Sequence, residues 1–452
     1  MIGAGVVGCA IARELSRYDC QTILIESRSD LGDGASKGNS AVLSTGADTP
    51  FGSLECRLVA RGHARYFAEA PSLGLPILAI GSLTVAWNSD QLAMLTSMHA
   101  DAVAAGFGDG EIVGPDFIYA KTPRLARGAV AAIWDPHEAI VDPFSTPLAY
   151  ALDAVENDVE FRHSSPVTGA FRNSGIWHLE TPAGNIRTGT VINCGGLWAD
   201  KVDSLGGFSD FSSRPRRGQF IVYDKSARSL LDVVIKPVPT PSYRGVLVTP
   251  TVFGNVLVGP TAEDIDDPDD WRTTHEGLAA LREAALRILP ELGAHEVTAT
   301  YCGVRPGTDR AEYRIIPRPD ASWVSVAGIR STGLSGALGI AEHVVALASG
   351  FGSHLARKSR EPRPIRVPSL CSLDPRPWER TATPARADLE IVCHCEGTTL
   401  GQIESAFASP IPPRSLKALK RRTRATFGRC QGFYCGARVR MLLDEALAGR
   451  TA

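Results

Sequence analysis

The sequence predicts a mixed α/β (α+β) chain of more than one domain. Three observations carry this. A glycine-rich turn stands at the start, between a short apolar segment and a helix-like one. Strand-and-glycine segments recur some 190 and 330 residues later. A basic, cysteine-bearing tail closes the chain. The 452 residues correspond to two to four domains at ~100–200 residues each, enough for a large core without disulfide staples.

The first element is the turn itself. Gly3, Gly5 and Gly8 spell G-x-G-x-x-G, followed by an amphipathic segment over 9–17 and a strand over 22–26 ending in Glu26. Gly3 permits the tight turn, Gly5 lets backbone approach a pyrophosphate, and Gly8 lets helix pack on strand. Glu26 lies 18 residues after Gly8, close to the ~20 expected of an acid on a ribose hydroxyl. The reading is a Rossmann-like dinucleotide site. Residues 6–9 also resemble a lipoprotein cleavage box, but no basic segment precedes them. Only Met1 and Ile2 stand before the glycines, where a strand of about five residues is usual. The expectation is a longer natural chain, in which added upstream residues improve folding and cofactor retention.

The later glycine segments follow. Residues 36–47 form a small-residue loop, 191–198 a strand with Gly195 and Gly196, and 325–339 a strand, a glycine loop and a helix. Three such turns suggest one cofactor gripped by separated pieces of chain.

These segments resemble the D-amino-acid-oxidase-like FAD superfamily, and within it the large subunit of anaerobic glycerol-3-phosphate dehydrogenase and its hydroxy-acid-oxidising relatives. The matching stretches are GAGVVGCAIARELS (3–16), ASKGNSAVLSTGAD (35–48), RGQFIVYD (217–224), LVTPTVFGNVLVGPTAED (247–264), YCGVRP (301–306) and AGIRSTGLS (327–335). The resemblance implies FAD held by Gly3, Gly5, Gly8, Glu26, Ser36, Asn39, Gly195, Gly333 and Gly336. It also implies an antiparallel-sheet substrate domain, with candidate strands at 81–87, 219–224, 245–249 and 255–259. The expected division is 1–80, 141–205 and 301–350 for the FAD-binding domain, and 81–140 and 206–300 for the substrate domain. A Pro-rich linker or strap follows at 351–388, then a small helical domain at 389–452.

Oxidising a carbon that bears OH or NH is the cofactor's chemistry; the protein supplies position and electrostatics. An anionic substrate needs a fixed cation, and arginine's fork suits carboxylate or phosphate. Arg305 and Arg330 lie beside glycines in the segments that the resemblance places near the flavin, and both are candidates for substrate or flavin contact. Tyr301 and Tyr313 are candidate hydrogen-bonding groups, each also readable as a core tyrosine. His63, His137 and His275 are candidate bases. Many relatives carry a histidine in the loop matching 41–48, where this chain has Ser44. Serine does not titrate near neutral pH, so the base must lie elsewhere or the substrate must arrive deprotonated.

The tail reads C-x-C at Cys393 and Cys395, then C-x-x-x-x-C at Cys430 and Cys435. Four thiolates suit iron–sulfur or zinc. The segment resembles the [2Fe–2S] domain of the bacterioferritin-associated-ferredoxin type, although some relatives close with C-x-x-C; that implies a [2Fe–2S] cluster on these four cysteines. Helix-like stretches cover 399–408, 415–425 and 436–448. Residues 391–452 hold ten Lys/Arg and four Asp/Glu, a local +6 against −2 for the whole chain. Lys417, Lys420, Arg421, Arg422 and Arg424 read either as a solvated face or as a docking patch for an acidic redox partner. The remaining cysteines read as buried small residues.

Composition excludes other classes. A formal charge of −2 and a pI of about 6.6 argue against binding nucleic acid through bulk charge. No run reaches the ~18–20 apolar residues of a membrane span. The expectation is an FAD-dependent dehydrogenase of a small anionic alcohol, glycerol 3-phosphate or a 2-hydroxy acid. Electrons would leave through [2Fe–2S] to an external acceptor. The protein would be cytoplasmic, or held at the inner membrane face through an anchoring subunit or other redox partner. The same scaffold also serves dehydrogenases and oxidases of amino acids or secondary amines. A zinc-containing nucleic-acid-binding regulator is the rival outside enzymology.

Overall fold

Ile2 sits between two strands that lie far apart in sequence, bridging Ile25 on one side and Asn193 on the other. The computed structural model describes residues 1–240, 243–351, 355–365 and 385–449. Ile23–Ile25 pairs in parallel with Glu160–Arg162, and Val191–Asn193 in parallel with Trp323–Ala327. Arg314–Arg318 adds an antiparallel edge. Strands buried on both faces need apolar runs, and Trp323–Ala327 is buried throughout.

Helices Val6–Leu15, Leu54–Leu73, Ser145–Glu156 and Gly333–Ser349 cover this sheet and share one apolar core. Two of them approach closely because glycine leaves room. A Cβ on Gly62 would lie 2.2 Å from the Ser335 carbonyl oxygen, and one on Gly339 would lie 2.2 Å from that of Leu58. Ser53 caps Leu54–Leu73 by accepting the Cys56 N–H at 3.1 Å, and Gly74 ends it at φ +68°, the left-handed stop that favours glycine.

The second layer is a nine-stranded, mainly antiparallel sheet. Ser213–Tyr223 pairs antiparallel with Val297–Thr308 along its whole length. Ser82–Ala86, Leu247–Pro250 and Val256–Gly259 also belong to this sheet, so all four candidate strands lie in it. Val297–Thr308 runs across the expected division at residue 301. The helix His275–Ile288 packs Leu281 and Ala285 onto a core with Ile221, Val248 and Val258.

The C-terminal unit has its own small core of Val392, Ile403, Leu419, Val439 and Leu443. Its helices are Leu400–Phe407, Leu416–Thr423 and Gly436–Ala448. Thr399 and Gln402 form a reciprocal capping box at the first, and Ser415 caps the second. Before it, residues 355–365 lie on the main body: the Lys358 N–H donates to the Arg17 carbonyl and the Arg363 N–H to Asn157 Oδ1, both within 2.9 Å. Pro368, Pro375, Pro377, Pro384 and Cys371 lie outside the described residues.

The basic run is neither a solvated face nor a free patch. Asp30 accepts from Arg421 and Arg422 at 2.6–2.8 Å, and Asp33 accepts from Arg421 at 2.7 Å. Arg424 binds Glu396 at 2.9 Å and lies 3.3 Å over the Phe253 ring. Lys420 covers Phe427, whose ring packs at a tilt against Phe144. Lys225 pairs with Glu396 at 3.3 Å, and Arg429 with Glu296. The helix Leu416–Thr423 turns its arginines inward because two carboxylates of the main body face it; only Lys417 remains exposed in the run.

Candidate functional site

A cavity of about 1140 Å³ opens between the parallel sheet and the large antiparallel sheet. It exceeds the ~300–1,000 Å³ of ordinary small-molecule pockets and is large enough for an extended dinucleotide with a small substrate. Gly3, Gly5, Gly8, Glu26, Ser36, Asn39, Gly195 and Gly333 all line it, as do Arg305 and Arg330. Tyr301 and Gly336 do not.

The turn fits a dinucleotide. Gly3 takes φ +99°, and a Cβ there would lie 2.4 Å from the Cys194 carbonyl oxygen. A Cβ on Gly8 would lie 2.0 Å from the Gly3 carbonyl oxygen. A Cβ on Gly5 would meet only Ser36 Oγ, at 3.3 Å, so its bare face opens on the cavity at the start of helix Val6–Leu15, where a phosphate is favoured. Ser36 Oγ accepts the Val6 N–H at 2.9 Å. Glu26 accepts the N–H groups of Ala4 at 2.8 Å and Arg28 at 2.9 Å, which fixes its carboxylate at the cavity wall. Burial raises its pKa. Asn39 braces its own loop, donating to the Ser36 carbonyl and accepting the Ala41 N–H, each at 2.7 Å.

The tyrosines face inward to the protein. Tyr301 Oη donates to the Asn39 carbonyl at 2.6 Å and its ring stacks on Phe220. Tyr313 Oη meets Thr332 Oγ1 at 2.6 Å, and Thr332 donates to Glu55 at 2.7 Å. Gly336 lies against the helix Leu54–Leu73, where a Cβ would touch Val59. None of His63, His137 and His275 lines the cavity.

The far wall is cationic. Arg216, Lys236, Arg244 and Arg305 line it. Arg216 pairs with Asp264 at 3.1 Å and Arg244 with Asp48 at 3.2 Å. Arg305 is different: it donates only to the carbonyls of Thr261 at 3.1 Å and Arg217 at 3.4 Å, and it has no carboxylate partner among the described residues. Burial pushes its pKa down to about 10. Gly218 makes room for it, since a Cβ there would lie 2.7 Å from Arg305 Nη2. Arg330 is exposed at the mouth and donates to the Ala311 carbonyl. Ser44 Oγ donates to Asp48 at 2.8 Å. Lys236 Nζ binds Glu138 Oε1 at 2.9 Å. Lys236, Glu138, Asp48 and Arg244 were not legible as site residues; a charge inside an apolar strand, as in VVIKPV, is the signal that could have found Lys236.

The four tail cysteines converge in pairs. Cys395 lies beside Cys430, and Cys393 beside Cys435. The backbone N–H groups of the loop that follows, that of Tyr434 foremost, hold the Cys430 pKa below the ordinary thiol value. Among the described residues no three His, Cys, Asp or Glu side chains gather around one point as for a single ion. Two pairs of soft thiolates fit a binuclear iron–sulfur group, which takes two cysteines per iron. Phe433 and Tyr434, on the loop between two of these cysteines, are 83% and 81% exposed. No helix among the described residues is long and apolar enough to cross a membrane.

Comparison with known proteins agrees with this geometry. Residues 1–347 match the family described as FAD dependent oxidoreductase, and residues 391–445 match the BFD-like [2Fe-2S] binding domain. A glycerol 3-phosphate dehydrogenase of Caloramator mitchellensis is 33% identical, covering 99% of this chain and 94% of its own. One subunit of the anaerobic glycerol-3-phosphate dehydrogenase of Escherichia coli is 26% identical over 98% of this chain and 87% of its own. The structure of L-alpha-glycerophosphate oxidase from Mycoplasma pneumoniae with FAD bound superposes with a TM-score of 0.75, at 26% identity, over 81% of this chain and 97% of that one.

Proposed function

The chain belongs to the FAD dependent oxidoreductase family and carries a BFD-like [2Fe-2S] binding domain behind it, and from that premise we propose that it is a dehydrogenase of glycerol 3-phosphate. One observation carries the substrate class: Arg305 presents to the cavity a guanidinium without a counter-ion among the described residues. A buried unpaired cation is costly, and a phosphate monoester would supply two oxygens to its fork. The relatives that match over nearly the whole chain are named for glycerol 3-phosphate, which favours it among small anionic alcohols.

When bound, FAD supplies the two-electron acceptor, and the cluster on Cys393, Cys395, Cys430 and Cys435 supplies a one-electron outlet to an external acceptor. The chain's own part is placement. Gly3, Gly5, Gly8, Ser36, Gly195 and Gly333 would hold the dinucleotide, and Glu26 its ribose. Arg305 would hold the substrate phosphate, with Arg330 at the mouth. Tyr301 acts at one remove, bracing the Asn39 loop. The external acceptor is a partner protein at the inner membrane face, a reading supported by the likeness to one member of a multi-subunit dehydrogenase. The test is anaerobic mixing of the holoprotein with glycerol 3-phosphate, 2-hydroxyglutarate, lactate, proline and D-amino acids. Flavin bleaching by glycerol 3-phosphate is expected; bleaching by an amine alone would overturn the reading.

A further inference from the structure

Glu138 holds an unexplained atom. Its side chain is 2% exposed and lines the cavity. Oε1 is held by Lys236, but Oε2 is buried with no hydrogen-bond partner among the described residues. A buried carboxylate oxygen without a donor calls for a reason. The fold places the pair firmly. The Gly81 N–H donates to the Glu138 carbonyl at 2.9 Å, and the Val234 N–H donates to the Gly81 carbonyl at 3.0 Å. Gly81 takes φ +69°, and a Cβ there would lie 2.2 Å from Trp134. The turn at Gly81 therefore brings Glu138 and Lys236 together across about a hundred residues of sequence.

No histidine among the described residues lines the cavity. Ser44 does, tied to Asp48. Building on the dehydrogenase reading above, we propose that Glu138 is the catalytic base, and that its free Oε2 accepts the substrate hydroxyl proton. The step balances. The O–H bond breaks and its proton goes to Oε2. The C–H bond breaks and hydride goes to the oxidised flavin. The electron pair of the O–H bond becomes the second bond of the new C=O.

The charged groups around Glu138 are Lys236, Arg244, Asp48 and Asp135. Burial raises the Glu138 pKa, Lys236 opposes that rise, and Asp48 and Asp135 add to it.

The test uses the holoprotein with glycerol 3-phosphate. E138Q should slow flavin reduction by about 100-fold or more. It should leave the affinity for dihydroxyacetone phosphate, read from the flavin absorbance shift, within about threefold, and abolish the acid limb of the reduction-rate profile. E138D should recover part of the rate. E138Q combined with K236M removes both buried charges, and should fold and reduce as slowly as E138Q. Reduction by E138Q within about threefold of wild type would overturn the proposal. So would a loss of affinity with the reduction rate intact. Failure of the wild type to bleach would overturn the substrate reading and this one with it; a wild type that bleaches beside an unimpaired E138Q would sink only the role of Glu138.

Discussion

Asp30→Ala is the most informative perturbation of the C-terminal docking. Asp30 is 4% exposed and accepts three hydrogen bonds, two from Arg422 and one from Arg421. Arg421 keeps Asp33 after the substitution, but Arg422, also 4% exposed, loses its only carboxylate among the described residues. Breaking a buried pair by removing one partner costs about 3–5 kcal/mol, or about a 150- to 5,000-fold shift between docked and undocked tail. The tail has a core of its own, so undocking should precede its unfolding. Hydrogen exchange should show selective loss of protection in 416–423 and in the 26–36 loop. A double-mutant cycle with Arg422→Met should be strongly non-additive, the double variant being less damaged than Asp30→Ala alone. Additive losses, or a single-variant cost below about 1 kcal/mol, would refute the reasoning. Burial raises the Asp30 pKa, but Arg422 and Arg421 outweigh it and hold it below the ordinary aspartate value. Its stabilisation is thus present above the unfolded pKa of about 3.9 and lost as pH falls through the lower folded value.

Other outcomes follow from the same geometry. Arg305→Met should raise the KM for glycerol 3-phosphate about 10- to 100-fold, the worth of one or two charge-assisted hydrogen bonds, with flavin content unchanged by absorption. Gly3→Ala, at φ +99° with its Cβ 2.4 Å from the Cys194 carbonyl oxygen, should purify with little flavin. Cys430→Ala should lose iron by chemical assay and lose its electron paramagnetic signal. It should still bleach with substrate anaerobically but fail to reduce a one-electron acceptor.

Some of this was legible in sequence and some was not, for physical reasons. The Gly3–Gly5–Gly8 turn and Glu26 are local: spacing alone sets which backbone atoms can approach. The candidate strands and the tail helices carry their own apolar periodicity. Glu138 and Lys236 are brought together by the turn at Gly81 and by the pairing of 82–86 with both 131–135 and 234–237, and nothing near either residue announces the other. The basic run misled because charge in sequence carries no direction. Arg421 and Arg422 face Asp30 and Asp33, almost 400 residues away. Tyr301 stood in a well-matched motif, but its hydroxyl is committed to the Asn39 backbone.

The C-terminal unit touches both layers that wall the cavity. It grips Asp30 and Asp33 beside the parallel sheet, and Lys225, Phe253 and Glu296 beside the antiparallel one. It works as a keystone. Prising the two walls apart like a clamshell would tear several of these contacts at once. Small molecules would then come and go past individual side chains at the rim, such as Arg330, without the two walls separating.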